Sequence, residues 1–74
     1  MDIDTKAACE RLGQRLRKLR EDAGLSQRGL AEKVKLEQAF ISRLETGQSE
    51  PCLGTLCELA DAFDLTVSQF LKGV

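Results

Sequence analysis

The chain has 74 residues, 42% of them hydrophobic, with 11 basic and 12 acidic side chains and a net charge of -1. That length suits one small domain, near the lower size at which an apolar core folds unaided, so no second domain is expected. With no His and no Tyr, no metal-ligand cluster and no glycine-rich phosphate loop, the composition argues against an enzyme and against any cofactor.

Ala8, Leu12, Leu16, Leu19 and Ala23 recur at helical spacing and predict a first amphipathic helix from about Asp4 or Thr5 to Gly24. Gly13 stands inside it at a cost of roughly 1 kcal/mol relative to Ala. Residues 1–12 are therefore expected to be an N-terminal extension of that helix, and residues 13–74 the domain proper. Ser26 is a good N-cap, flanked by Leu25 and Leu30 at the two positions of a hydrophobic staple, so a second helix follows from about Gln27 to Val34.

Leu36, Phe40, Ile41 and Leu44 next share one side at helical spacing. Ala39, Ser42 and Arg43 take the opposite side, with Gln38 at its N-terminal edge. Phe40 borders Leu44 on the helical wheel, so core packing and contact with a sugar or methyl group both stay open. Glu45 falls beside Ile41 rather than outward, where a partly buried carboxylate needs a partner. Gly47 stops the helix, being the residue that enters the left-handed conformation without a steric penalty. Two short helices joined by a tight turn commonly serve to lay the second in the DNA major groove.

Gln48-Ser49-Glu50-Pro51 reads as a loop. Leu53, Leu56, Leu59, Ala60 and Phe63 mark a fourth helix that ends at Asp64. Thr66 and Gln69 form a capping box, and Leu65 and Phe70 a staple, for a short fifth helix. The fold class is thus all-α, a compact five-helix bundle with the helix-turn-helix at helices 2 and 3.

The charge is unevenly spread: residues 6–43 hold ten bases against five acids, and residues 44–74 one base against five acids. The positive end coincides with the helix-turn-helix, as a polyanionic partner requires. Arg11, Arg15, Arg17, Lys18 and Arg20 also read as the solvated face of an amphipathic helix. Cys9, Cys52 and Cys57 are odd in number and lack CxxC spacing, so free thiols in a reducing cytoplasm are expected, with no zinc site. Cys52 follows the loop near the start of a helix, where the dipole favours thiolate, which keeps redox sensing open. Neither an apolar run of membrane-spanning length nor a secretory signal is visible, so no membrane partner is expected.

Several pieces recur here in a specific joint spacing: Leu25-Ser26-Gln27, Leu30-Ala31-Glu32-Lys33, Ile41-Ser42-Arg43-Leu44-Glu45, Gly47, Pro51 and Thr55-Leu56. Through them the chain resembles, from about Gly13 to Leu71, the Cro/CI-type helix-turn-helix family, also called lambda-repressor-like or xenobiotic response element type. That resemblance implies transcriptional regulation. Carried over by position, it implies that Gln27 anchors a phosphate and braces Gln38, which reads a base. It also implies backbone contacts from Thr46, Gln48 and Ser49 and from the Arg15 and Arg20 region. A structural ion pair between Arg20 and Glu45 would tie the first helix to the recognition helix. Adenine suits a Gln amide, guanine an Arg, and the thymine methyl a small apolar group, so Gln38, Arg43 and Ala39 match those three in turn, with Ser42 on the same side.

Three positions depart from the family pattern. Lys35 stands where the turn usually has Gly and is expected to be left-handed. Gly29 replaces an acid, which removes the capping-box partner of Ser26. Glu37 replaces Ser or Thr at the start of the recognition helix, where its carboxylate would face phosphates or read a cytosine amino group.

The function expected is sequence-specific binding of duplex DNA by a homodimer that regulates transcription, chiefly by occluding a promoter, in a phage, plasmid or restriction-modification setting. Symmetry then calls for half-sites about 10 bp apart. Val67, Leu71 and Val74 read equally as a dimer interface and as the completion of a small core. The alternative is a protein-interaction module, such as an antitoxin that neutralises a toxin.

Overall fold

A computed structural model describes residues 4–74. Five helices follow in order: α1 (Thr5–Asp22), α2 (Gln27–Val34), α3 (Gln38–Glu45), α4 (Leu53–Ala62) and α5 (Val67–Phe70). No strand occurs among the described residues. Each helix contributes to one core, made of Leu12, Leu16, Leu30, Ala31, Ile41, Leu44, Leu59, Ala60 and Phe70. The apolar stripes legible in the sequence are what meet there.

Local capping chemistry explains where most helices begin. Asp4 accepts from the Ala7 N–H at 2.9 Å, and Ser26 from the Gly29 N–H at 2.9 Å. Thr66 and Gln69 complete a reciprocal capping box at the head of α5. Each such bond satisfies a backbone donor that the first turn leaves without a partner. Glu37 at the head of α3 makes no such side-chain bond. Ser26 has none to receive in return from Gly29, as the departure from the family pattern implies.

The turn between α2 and α3 depends on Lys35, which adopts φ 58° and ψ 42°. The Leu36 N–H then reaches back to the Ala31 carbonyl at 2.9 Å and closes the turn. Asp64, after α4, adopts the same left-handed conformation at φ 56°. The sequence marks Asp64 as the end of the fourth helix but not as left-handed, although Asp tolerates this region better than most residues.

Gly13 has a different role from the helix weakness read in the sequence. α1 runs through it unbroken, and a Cβ built there would lie 2.5 Å from both the Leu44 and Glu45 carbonyl oxygens. α1 therefore crosses directly over the C-terminal end of α3, which only a residue without a side chain permits. Gly47 makes the reciprocal approach, at φ 78°, with Glu10 Cγ 2.9 Å from where its Cβ would be. The division expected between residues 12 and 13 thus falls within a continuous helix, one residue after the buried Leu12. Residues 4–12 are its first turns, and residues 1–3 lie outside the described residues.

Candidate nucleic-acid interface

α3 is divided into two sides. Ile41 and Leu44 are fully enclosed, while Gln38, Ala39 and Arg43 are exposed and Ser42 is half-buried. The interlock of Gly13 and Gly47 with their neighbours fixes the C-terminal end of this helix. The Lys35 turn fixes its start.

Beneath the helix lies a buried polar cluster. The Arg20 Nε donates to Glu45 Oε2 at 2.6 Å and its Nη2 to Glu45 Oε1 at 3.0 Å, a bidentate pair. Its Nη1 donates to the Leu25 carbonyl at 2.8 Å. The two side chains are 11% and 3% exposed, so water screens the pair little. The hydrogen bond to Glu45 raises the pKa of Arg20 above its ordinary value, outweighing the opposing effect of burial. Gln27 joins the same carboxylate, its Nε2 donating to Glu45 Oε1 at 3.1 Å. A carboxylate only accepts, so this bond fixes which end of the Gln27 amide faces inward. The second Nε2 hydrogen and Oε1 are left for other partners.

A second polar group surrounds the last turn of α3. The Arg43 guanidinium lies over the Phe40 ring, 5.8 Å from its centroid, and the Arg43 Nε donates to Ser49 Oγ at 3.3 Å. Phe40 also packs against the core, so the wheel position that left it between two roles gives it a share in both. Thr46 Oγ1 lies 3.2 Å from the Ser42 carbonyl and 3.2 Å from that of Arg43, donating within its own helix. Gln48 is exposed, and its backbone N–H donates to the Arg43 carbonyl at 2.8 Å.

The arginines of α1 are divided in the same way. Arg15 donates through Nε to the Phe70 carbonyl at 3.0 Å and through Nη2 to the Gln69 carbonyl at 2.9 Å. Arg11 donates to the Val74 carbonyl at 3.1 Å. Arg15 thus holds the last two carbonyls of α5, and Arg11 holds the segment that follows it. Arg17 and Lys18 instead make exposed pairs with Glu21 and Asp22. Of the DNA-backbone candidates, then, Arg15 faces α5 and Arg20 lies in the buried pair, while Gln27, Thr46, Gln48 and Ser49 gather around the ends of α2 and α3.

Sequence reasoning missed the bond from Gln27 to Glu45, the Arg43 cluster and the grip of Arg15 on α5 and of Arg11 on Val74. One signal was available: Phe40 and Arg43 are three apart on a helix, the spacing at which side chains meet.

Val67, Leu71 and Val74 are half-buried and pack against the core. Among the described residues the large exposed apolar side chain is Leu53, 68% exposed at the start of α4. Cys52 caps that helix, exposed, with its sulfur 3.3 Å from Thr55 Oγ1, and this contact lowers its pKa below the ordinary thiol value. Among the described residues no metal-holding group of acids and cysteines occurs, and no helix is long and apolar enough to cross a membrane. A concave surface of about 550 Å³ between α2 and α4 mixes Lys33 and Lys35 with Glu58, Asp61 and Asp64 and contains none of the DNA-contact candidates.

A helix-turn-helix domain model matches residues 11–70 of the chain. The chain belongs to the helix-turn-helix family of Cro/CI type. It is 38% identical over 64 residues to the transcriptional regulator DdrOP3 of Deinococcus deserti, covering 86% of this chain and 50% of that protein. It is 35% identical over 57 residues to the immunity repressor protein of Bacillus phage phi105, covering 77% of this chain and 40% of the repressor. The chain thus spans half or less of the length of these relatives. Among solved structures, the restriction-modification controller protein C.AhdI of Aeromonas hydrophila superposes with a TM-score of 0.82 at 36% identity, covering 86% of this chain and 97% of the controller. The family is a DNA-binding class rather than a class of enzymes.

Proposed function

We propose that this domain binds duplex DNA sequence-specifically as a homodimer and regulates transcription in the cytoplasm by occluding a promoter. Gln38, Ala39, Ser42 and Arg43 meet base edges in the major groove, and Gln27 and Gln48 meet the flanking phosphates, while Ser49 supports Arg43. Thr46 joins them only by giving up its bonds within α3, since a phosphate accepts and does not donate. Arg15 and Arg20 act mainly by holding the bundle, adding positive field near the interface through their charge.

The observation that carries this reading is the two-sidedness of α3. Its apolar residues and Glu45 are locked inward by α1 and α2, while Gln38, Ala39 and Arg43 project from the opposite side of the same rigid helix. The uneven charge and the likeness to C.AhdI along almost the whole controller agree with it. Dimerisation is proposed to use Val67, Leu71 and Val74, extended by the exposed Leu53.

Titration of fluorescent duplexes at several salt concentrations tests the first part. Affinity for random DNA is expected to fall steeply with salt, and a site selected from a random pool to bind at least about a thousandfold tighter. Salt-insensitive binding, or none, would overturn it. Light scattering at micromolar concentration tests the dimer, which a persistent 8.2 kDa species would exclude.

A further inference from the structure

We infer that Phe40 and Ser49 are positioning residues that set Arg43 to read guanine, so that specificity at one base of each half-site is determined partly from outside α3. The inference rests on the DNA-reading function proposed above.

An exposed arginine ordinarily samples many rotamers and loses that freedom on binding, which weakens whatever contact it makes. Arg43 is held before any partner arrives. The Phe40 ring lies under its Cζ at 5.8 Å, within the range of a cation–π contact. Ser49 accepts from Nε at 3.3 Å. The ring holds the guanidinium from the Phe40 side, and the hydrogen bond uses its Nε. What they leave is the edge bearing Nη1 and Nη2, two parallel donors that match the O6 and N7 acceptors of guanine.

The main chain is arranged to bring Ser49 back to a residue six positions earlier. Gly47 turns at φ 78°, and the Gln48 N–H bonds the Arg43 carbonyl at 2.8 Å. Thr46 Oγ1 donates to that same carbonyl at 3.2 Å. Three successive residues after α3 therefore fix the chain relative to Arg43, and the fourth reaches its side chain. Ser49, expected from the family resemblance to contact a phosphate, is assigned by this inference to Arg43, whose Nε its oxygen accepts. The same guanidinium edge also suits a phosphate, and the two uses differ in what they do to sequence preference.

The test is selection of sites from a randomised duplex pool by the whole chain, run in parallel for wild type, Arg43→Ala, Phe40→Leu and Ser49→Ala, with thermal melts to verify folding. Wild type should return one position that is almost always guanine. Arg43→Ala should lose that preference by roughly tenfold or more. Phe40→Leu and Ser49→Ala should each weaken it severalfold at that position alone, with other positions and the salt slope unchanged. Equal loss of affinity for duplexes with and without the guanine, from either positioning variant, would overturn the inference. So would a fall of about one unit in the salt slope for Arg43→Ala, which marks a phosphate contact. Phe40→Leu touches the core side as well, so Ser49→Ala, on a loop, decides the matter if the former melts early. A wild-type pool that returns unenriched would remove the DNA-reading function itself, whereas an enriched pool with no guanine tied to Arg43 removes only this inference.

Discussion

On the inner side of α3, Glu45 is enclosed by Arg20 and Gln27 with its oxygens bonded at 2.6 to 3.1 Å. On the outer side, Gln38 and Arg43 stand in solvent with at most a loop hydroxyl and a ring face for company. The residue chemistry is alike, charge and amide in both, yet the energetic consequences are opposite. A buried carboxylate that loses its partner leaves a charge stranded in low dielectric, whereas an exposed group that loses one is rehydrated. Polar residues on one short helix therefore divide into those that hold the helix and those that remain available to a ligand.

The largest expected effect breaks the inner side. Glu45→Ala should cost about 3 to 5 kcal/mol, read as a lowered urea midpoint, because it strands the Arg20 guanidinium. A loss under 1 kcal/mol would mean the pair is hydrated in solution and the contrast fails. Gly13→Ala comes next. Alanine is the better helix former, but its methyl group would lie against the Leu44 and Glu45 carbonyls, so a loss of about 1 to 3 kcal/mol is expected in the same melts.

Lys35→Gly should act in the other direction, raising stability by about 1 kcal/mol by relieving a left-handed lysine. Asp64→Gly should gain less, because Asp tolerates that conformation better. On the outer side, Gln38→Ala and Arg43→Ala should change stability by no more than about 0.5 kcal/mol while lowering affinity for a selected duplex. If either destabilises the bundle as much as Glu45→Ala, the two sides of α3 are not distinct.

The smallest effect concerns Cys52. Hydrogen bonding from Thr55 lowers its pKa, so thiolate forms at lower pH than in an unperturbed cysteine. Alkylation by iodoacetamide followed across pH should show that midpoint, and Thr55→Ala should move it upward.

The bundle was legible because its elements are specified locally. The stripe from Leu12 to Leu19, the Ser26 cap and the Thr66 and Gln69 box all follow from residues within one or two turns of each other, while the left-handed Lys35 follows from the family pattern at that turn. What escaped depends on elements distant in sequence. Gly13 looks like a flaw in α1 until the end of α3 lies against it. Arg15 looks free for a phosphate until the carbonyls of Gln69 and Phe70 arrive more than fifty residues later. The candidate site was legible in its outward members, since helical periodicity alone separates Gln38, Ala39 and Arg43 from Ile41 and Leu44. Of its supports, the Arg20 and Glu45 pair follows from the family resemblance, whereas the bonds of Gln27 to Glu45 and of Arg43 to Ser49 do not, because a side chain with several reachable acceptors does not announce which it will choose.

The grip of Arg15 on α5 and of Arg11 on Val74 beyond it goes entirely to carbonyl oxygens. Every amino acid supplies that oxygen, so this part of the attachment is indifferent to side-chain identity, unlike the buried Phe70. Substitutions at the exposed Ser68 and Gln69 can then accumulate without loosening that hold.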